Sequence, residues 1–179
     1  FFMNKLFVAA LKEETPGLDY FHYIGVGKIN ATYNLLKLIN KFKPNQVINY
    51  GSAGAINKNL SGIVECTKFY QRDMDARGIL DLRLGETPFD SIKEIIISNE
   101  GFSCGSGDSF VKNKIEMDID LVDMEAYALA KVCFNYDIPF ISFKFISDGA
   151  DTDANIDWKE NCKKGAELFK QKLKEINLL

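Results

Sequence analysis

LVDMEAYALAKVCFNYDIPFISFKFISDGAD, from Leu121 to Asp151, reads as the end of a strand, a buried helix, a second strand and then a polar loop. The helix, from Met124 to about Tyr136, is apolar on nearly every face, which predicts burial rather than a surface position. Asp123, Glu125 and Asp148 fall at the two ends of this unit, where open α/β sheets gather their ligands. A carboxylate at the mouth of such a helix costs desolvation energy unless a partner or ligand satisfies it. The three acids are therefore candidates for chemistry.

Working outward, Lys5 to Leu11 is a short apolar run typical of a strand buried on both faces, and Glu14 follows at its carboxyl end before Thr15-Pro16-Gly17 turns the chain. Tyr20 to Val26 reads as a strand ending in Gly25-Val26-Gly27. Lys28 to Phe42 carries apolar residues at helical spacing and stops at Pro44. Gln46 to Tyr50 is a third strand, running into Gly51-Ser52-Ala53-Gly54-Ala55, and Ile63 to Tyr70 another. The pattern is weak from Gly78 to Pro88, which reads as loop. Ile92 to Ser98 reads as a strand, and Glu100 to Asp108 as the approach to a glycine-rich turn. Asp157 and Glu160 make an Asx capping box for a last helix reaching about Ile176, with one apolar stripe. Strands alternate with helices but some run consecutively. The expectation is a mixed sheet flanked by helices, in one domain from Met3 to Leu179.

Composition narrows the function. A chain of 179 residues with 46% hydrophobic and 26% charged content suits one globular domain, long enough to bury roughly 70% of its unfolded surface. A net charge of −3 with dispersed Lys and Arg argues against a nucleic-acid surface. No run reaches the ~18 apolar residues of a membrane span, and no basic-then-apolar leader is seen. Met3 is the expected start, with Phe1 and Phe2 an upstream remnant. Cys66, Cys104, Cys133 and Cys162 stand far apart, and His22 is the only imidazole. That pattern disfavours a Cys/His zinc site or a Cys-His catalytic pair and suits reduced thiols in a cytoplasm.

Several motifs have both a plain and a functional reading. Gly25-Val26-Gly27 invites a dinucleotide fingerprint, but Asn30 stands where Gly or Ala is wanted, and Asn49-Tyr50 where an acid is; a tight turn explains it better. Gly51-Ser52-Ala53-Gly54 suits either a plain turn or donors aimed at ligand oxygens. Phe110, after Ser106-Gly107-Asp108-Ser109, suits either the core or a flat ring. Glu14, Glu125 and Asp148 converge on one sheet edge, where like charges raise one another's pKa and favour acid/base work.

VDMEAYALAKVC, FISDGAD, GVGKINA, INYGSAGAI and SGDSFV, in this order and spacing, resemble the purine nucleoside phosphorylase/nucleosidase superfamily, in particular its methylthioadenosine/S-adenosylhomocysteine nucleosidases. The resemblance runs from about Lys5 to the last helix. It implies an α/β fold of nucleoside phosphorylase type, a three-layer mixed sheet with flanking helices, here reduced in size. It implies a cytoplasmic hydrolase of the N-glycosidic bond, working without metal or organic cofactor and usually as a homodimer. Glu14 would activate water, with Ser52 near that water or the ribose. Met124 and Glu125 would hold the ribose hydroxyls, Phe110 would stack on the purine, and the Val111 backbone would lie at the purine edge. Asp148 would help protonate N7, oriented by Ser147. Related phosphorylases place an Arg where Asn49 stands and another in the first loop, and Leu11 to Leu18 contains none; water is therefore expected as nucleophile. Relatives also carry an extra hairpin between the first acidic loop and GVGK, where this chain has about ten residues, and the span from Ser109 to Asp123 is short. The alternatives are a nucleosidase for another purine nucleoside or nucleotide, a phosphorylase, and a non-catalytic purine-nucleoside binding module.

Overall fold

The computed structural model describes residues 4–111, 115–148 and 158–178, with the backbone alone at 148 and 158–160. Eight strands, β1 (Lys5–Ala9), β2 (Phe21–Tyr23), β3 (Gln46–Ala55), β4 (Ile63–Gln71), β5 (Ile95–Ile96), β6 (Phe102–Ser106), β7 (Leu121–Asp123) and β8 (Phe140–Asp148), build one mixed sheet. Helices α1 (Lys28–Phe42), α2 (Ala126–Asn135) and α3 (Trp158–Glu175) flank it. This is the mixed α/β architecture that the chain's alternation predicts.

Period-two alternation sorts the strand side chains between two cores. Leu6 and Val8 of β1 and Val47 of β3 join Leu35 and Ile39 of α1 and Ala126, Leu129 and Cys133 of α2 on one face. Phe7, Ala9, Ile48, Tyr50, Phe143 and Phe145 point to the other face, where α3 covers them with Ala166, Phe169 and Leu173. The Phe169 ring stacks on Tyr50 at 4.4 Å between centroids. Residues 126–130 of α2 are all buried, as its all-round apolar sequence requires. Helix α1 ends on Lys43, whose left-handed φ of 47° lets its N–H reach Ile39 O, just before Pro44.

The sheet also closes on itself. β3 pairs with β8 from Val47 to Gly54, β8 with β4, β4 with β6, β6 with β7, and β7 returns to Gly54 and Ala55 of β3. The closure corrects three local expectations. The run Gly51 to Ala55 is strand rather than turn, because β8 and β7 take up its backbone. Phe102–Ser106 is a strand between β4 and β7, although it reads as the approach to a turn. Within the Ile92–Ser98 run, only Ile95–Ile96 pairs, at the β4 edge.

Candidate active site

Glu14 closes a single 3₁₀ turn, Lys12–Glu14, at the carboxyl end of β1, and it is buried at 5% exposure. Its Oε1 accepts both the backbone N–H and the Oγ–H of Ser52 at 2.8 Å, and its Oε2 accepts Leu11 N–H at 3.1 Å. A carboxylate offers about four lone-pair directions. Three are occupied by fixed donors, which orients the group and leaves room for one more hydrogen. Gly51 lies against both groups: a Cβ there would meet Lys144 Nζ at 3.3 Å and Glu14 Oε1 at 3.4 Å, a tight fit. A buried ammonium and a buried carboxylate thus approach the same patch of β3.

Lys144, opposite Gly51 in the β3–β8 register, is 1% exposed. Its Nζ lies 2.7 Å from Asp123 Oδ2. Asp123 also accepts Ser106 Oγ–H and, at 2.9 Å, the Ala126 N–H that opens α2; Ser106 Oγ in turn accepts Tyr127 N–H at 2.8 Å. Burial works to raise the Asp123 carboxyl, but the ammonium and these donors outweigh it and hold the group ionised below the usual carboxylate range. Asp123, one of the three acids flanking the decisive stretch, is thus committed to Lys144 and to the helix start. It is not free for acid/base work.

Glu125 sits two residues on, buried, its Oε1 accepting Gly27 N–H at 2.9 Å from the turn that opens α1. Burial first, then the neighbouring Asp123 charge, push its carboxyl up to about 8, against the opposing pull of Lys144. The main cause is burial rather than the convergence of Glu14, Glu125 and Asp148, since Glu14 contributes least. Met124 beside it is half-buried. Phe110 is 71% exposed, so the core reading of that ring fails. Val111 follows, half-buried. Ser52 and Ser147 are half-buried on adjacent strands, and Ser147 Oγ donates to Ala53 O at 3.4 Å. Asp148 ends β8 opposite Gly54, but its side chain lies outside the described residues, as does the Asp157 cap.

Other residues have structural surroundings. Asn49 is buried as an inter-strand rivet, donating to Val8 O at 3.2 Å and accepting Ser142 Oγ–H at 2.9 Å. His22 packs against Phe42 at 4.8 Å between ring centroids, and all four cysteines are buried free thiols. The Gly25-Val26-Gly27 segment is a tight turn with φ of 78° and 88° at its glycines. Among the described residues no cluster of His, Cys, Asp and Glu has the arrangement of a metal site, and no helix is long and apolar enough to cross a membrane.

Sequence reasoning passed over Lys28, Arg72, Asp73 and Asp108, which link the ends of α1, β4 and β6 around the site. Their only signal was position, since each lies at or just beyond a strand's carboxyl end or at a helix start.

Residues 94–176 match the model of the phosphorylase superfamily. The chain is 32% identical to a 5'-methylthioadenosine/S-adenosylhomocysteine nucleosidase of Staphylococcus aureus (strain bovine RF122 / ET3-1), covering 79% of this chain and 73% of that protein. In fold it is similar to a D198N mutant of the Helicobacter pylori enzyme of that name with 5'-methylthioadenosine in its active site. The TM-score is 0.84 at 22% identity, over 98% of this chain and 100% of the other. The futalosine hydrolase of Helicobacter pylori strain 26695 is similar at a TM-score of 0.82 and 22% identity, over 97% and 98%. By its sequence identity and coverage, the chain belongs to the 5'-methylthioadenosine/S-adenosylhomocysteine nucleosidase family of the phosphorylase superfamily.

Proposed function

We propose that this protein, as one domain from Met3 to Leu179, hydrolyses the N-glycosidic bond of 5'-methylthioadenosine or S-adenosylhomocysteine to adenine and the thioribose. One observation carries the reading: a buried carboxylate, Glu14, is oriented by three donors across a glycine from a second buried acid's charge network. Breaking this bond builds positive charge on the sugar and negative charge on the leaving purine. Glu14 takes the proton of the attacking water, and Ser52 fixes the Glu14 oxygen that faces it. Glu125 accepts from the ribose hydroxyls, with Met124 packed beside the sugar. Phe110 stacks on the purine and the Val111 backbone lies at its edge. Asp148, oriented by Ser147, delivers the proton to N7.

Water is favoured over phosphate as nucleophile. Asn49 is occupied in holding strands together, and the buried Lys144 is neutralised by Asp123, so neither serves as an anion clamp. The homodimer reading draws support from the exposed apolar residues Val26, Ile29 and Tyr33 on the turn and first helix beside the site. Buried free thiols suit a reducing cytoplasm. A single sedimentation species of monomer mass would remove the dimer, and recovery outside the cytoplasmic fraction would remove the compartment.

The test is release of free base from methylthioadenosine in phosphate-free buffer. S-adenosylhomocysteine, adenosine, inosine and futalosine run alongside, and each assay is repeated with phosphate. Adenine without phosphate is the expected product, and release only with phosphate would make the protein a phosphorylase. Release from futalosine or inosine alone would favour the alternative of a nucleosidase for another nucleoside. No release at all would favour the binding module. Glu14→Gln and Asp148→Asn each lose about 10²–10⁴ in kcat; activity within tenfold of wild type in either would remove that residue from the chemistry.

A further inference from the structure

Lys28, Arg72, Asp73 and Asp108 form a charged cluster that the reaction itself does not use. The Lys28 ammonium pairs with Asp73 and lies 3.7 Å from Asp108 Oδ2. Lys28 N–H donates to Asp108 Oδ1 at 2.8 Å, and Asp108 N–H donates to Asp73 Oδ2 at 2.8 Å. Arg72 holds the same loop from beneath: its Nη2 donates to Ser109 O and, at 3.3 Å, to Gly107 O. Every residue from 107 to 109 is thus held by a side chain from the end of β4 or the start of α1. The next residue, Phe110, projects its ring 71% exposed from that fixed base.

The other end of the cluster is the Gly27–Lys28 turn. Its two successive amides bind two different acids, Gly27 N–H going to Glu125 and Lys28 N–H to Asp108. Gly27 has a φ of 88°, which strains any other residue, and a Cβ there would stand 3.0 Å from Asp108 Oδ1, so the Asp108 carboxylate would have to give way by a few tenths of an ångström. One turn therefore holds both the sugar-side carboxylate and the loop that carries the aromatic ring.

We propose that Lys28, Arg72, Asp73 and Asp108 are positioning residues that set the spacing between the base platform at Phe110 and the sugar carboxylate Glu125. This rests on the assignment of those two residues to purine and ribose under the proposed function. A nucleoside's base and sugar are joined by a single bond, so a site must hold both at one separation. A misplacement of about 1 Å costs up to about 10² in rate. Partly exposed ion pairs such as Lys28–Asp73 contribute little to stability. The effect of the cluster therefore falls on the intact substrate rather than on the fold.

The experiment compares wild type with Asp73→Asn, Lys28→Met and the double variant. It measures kcat and KM for methylthioadenosine, the Kd of free adenine, and the melting temperature. The expected result is a kcat/KM at least tenfold lower in each variant. Adenine, which occupies the base site alone, keeps a Kd within threefold of wild type, and the melting temperature moves by no more than about 3 °C. The double variant falls no further than the singles, because one cluster has been opened. A kcat/KM within threefold of wild type would overturn the proposal, as would a loss matched by adenine affinity or by melting temperature. A wild type that turns over no nucleoside overturns the functional reading and this inference with it, whereas an active wild type with unaffected variants overturns the inference alone.

Discussion

Lys144→Met removes the only ammonium that faces Asp123 in the described structure, and the cost can be worked from the geometry. The Nζ–Oδ2 separation is 2.7 Å and both side chains are 1% exposed. At an effective dielectric of about 20, a pair this close attracts by ~6 kcal/mol. Removing the lysine also removes the desolvation of its ammonium, so the net loss is smaller. Asp123 remains buried with only Ser106 Oγ and Ala126 N–H as donors, and its carboxyl must rise and take up a proton. Breaking one side of such a pair costs about 3–5 kcal/mol, a large share of the roughly 5–15 kcal/mol that holds a domain folded. With an m-value of about 2 kcal/mol/M, the urea midpoint at pH 7 falls by about 2 M. The assay is equilibrium urea unfolding followed by far-ultraviolet circular dichroism. Asp123→Asn combined with Lys144→Met removes both charges and recovers most of the loss. A single variant within 1 kcal/mol of wild type, or a double variant no more stable than the single, would refute this account of the pair.

Two further outcomes follow from other parts of the structure. Glu125 has its carboxyl raised to about 8 from an ordinary value of 4.5; the unfolded chain therefore ionises first as pH rises, and the protein loses stability between about pH 4.5 and 8. Glu125→Gln cannot ionise, so its stability advantage over wild type should grow across that window, with an upper bound of about 5 kcal/mol. Urea midpoints at pH 5 and pH 8.5 check this, and an equal difference at both would contradict it. Gly165→Ala sets two effects against each other. Alanine favours the helix by about 1 kcal/mol, but its Cβ would lie 2.5 Å from Tyr50 Oη and 2.7 Å from the Phe145 ring. Overpacking of about 1–3 kcal/mol should win, so the melting temperature falls; a rise in calorimetry would show that α3 shifts freely.

The residues proposed for the site lie on short, strongly marked pieces of sequence, which is why sequence alone singles them out. Helix α1 matches its expected span from Lys28 to Phe42 because periodicity and Pro44 are local signals. Buried α2 was foreseen from its apolar circumference, and Glu14 and Glu125 were singled out because acids beside buried elements are costly. Strand β6 was missed for a physical reason: Phe-Ser-Cys-Gly-Ser is short, rich in small residues and without β-branched ones, and β4 and β7 supply its partners on both sides. The same reason makes Gly51 to Ala55 strand, where the sequence left a turn or a set of ligand donors open.

The amino-acid sequence by itself therefore determined the helices, most strands, the candidate acids and the family pattern, because propensity, periodicity and turn chemistry act within a few residues. Tertiary structure alone decided which acids are free. Asp123 and Glu125 are two residues apart and look alike in the chain. Yet Lys144, 21 positions beyond Asp123, neutralises one, while burial beside that charge drives the other's carboxyl upward. Likewise the closing of the sheet through β3 and β7, and the meeting of Lys28 with Asp73 and Asp108, join residues far apart in sequence. Such pairings depend on where the backbone brings charges together in a low-dielectric interior, and no local pattern encodes that.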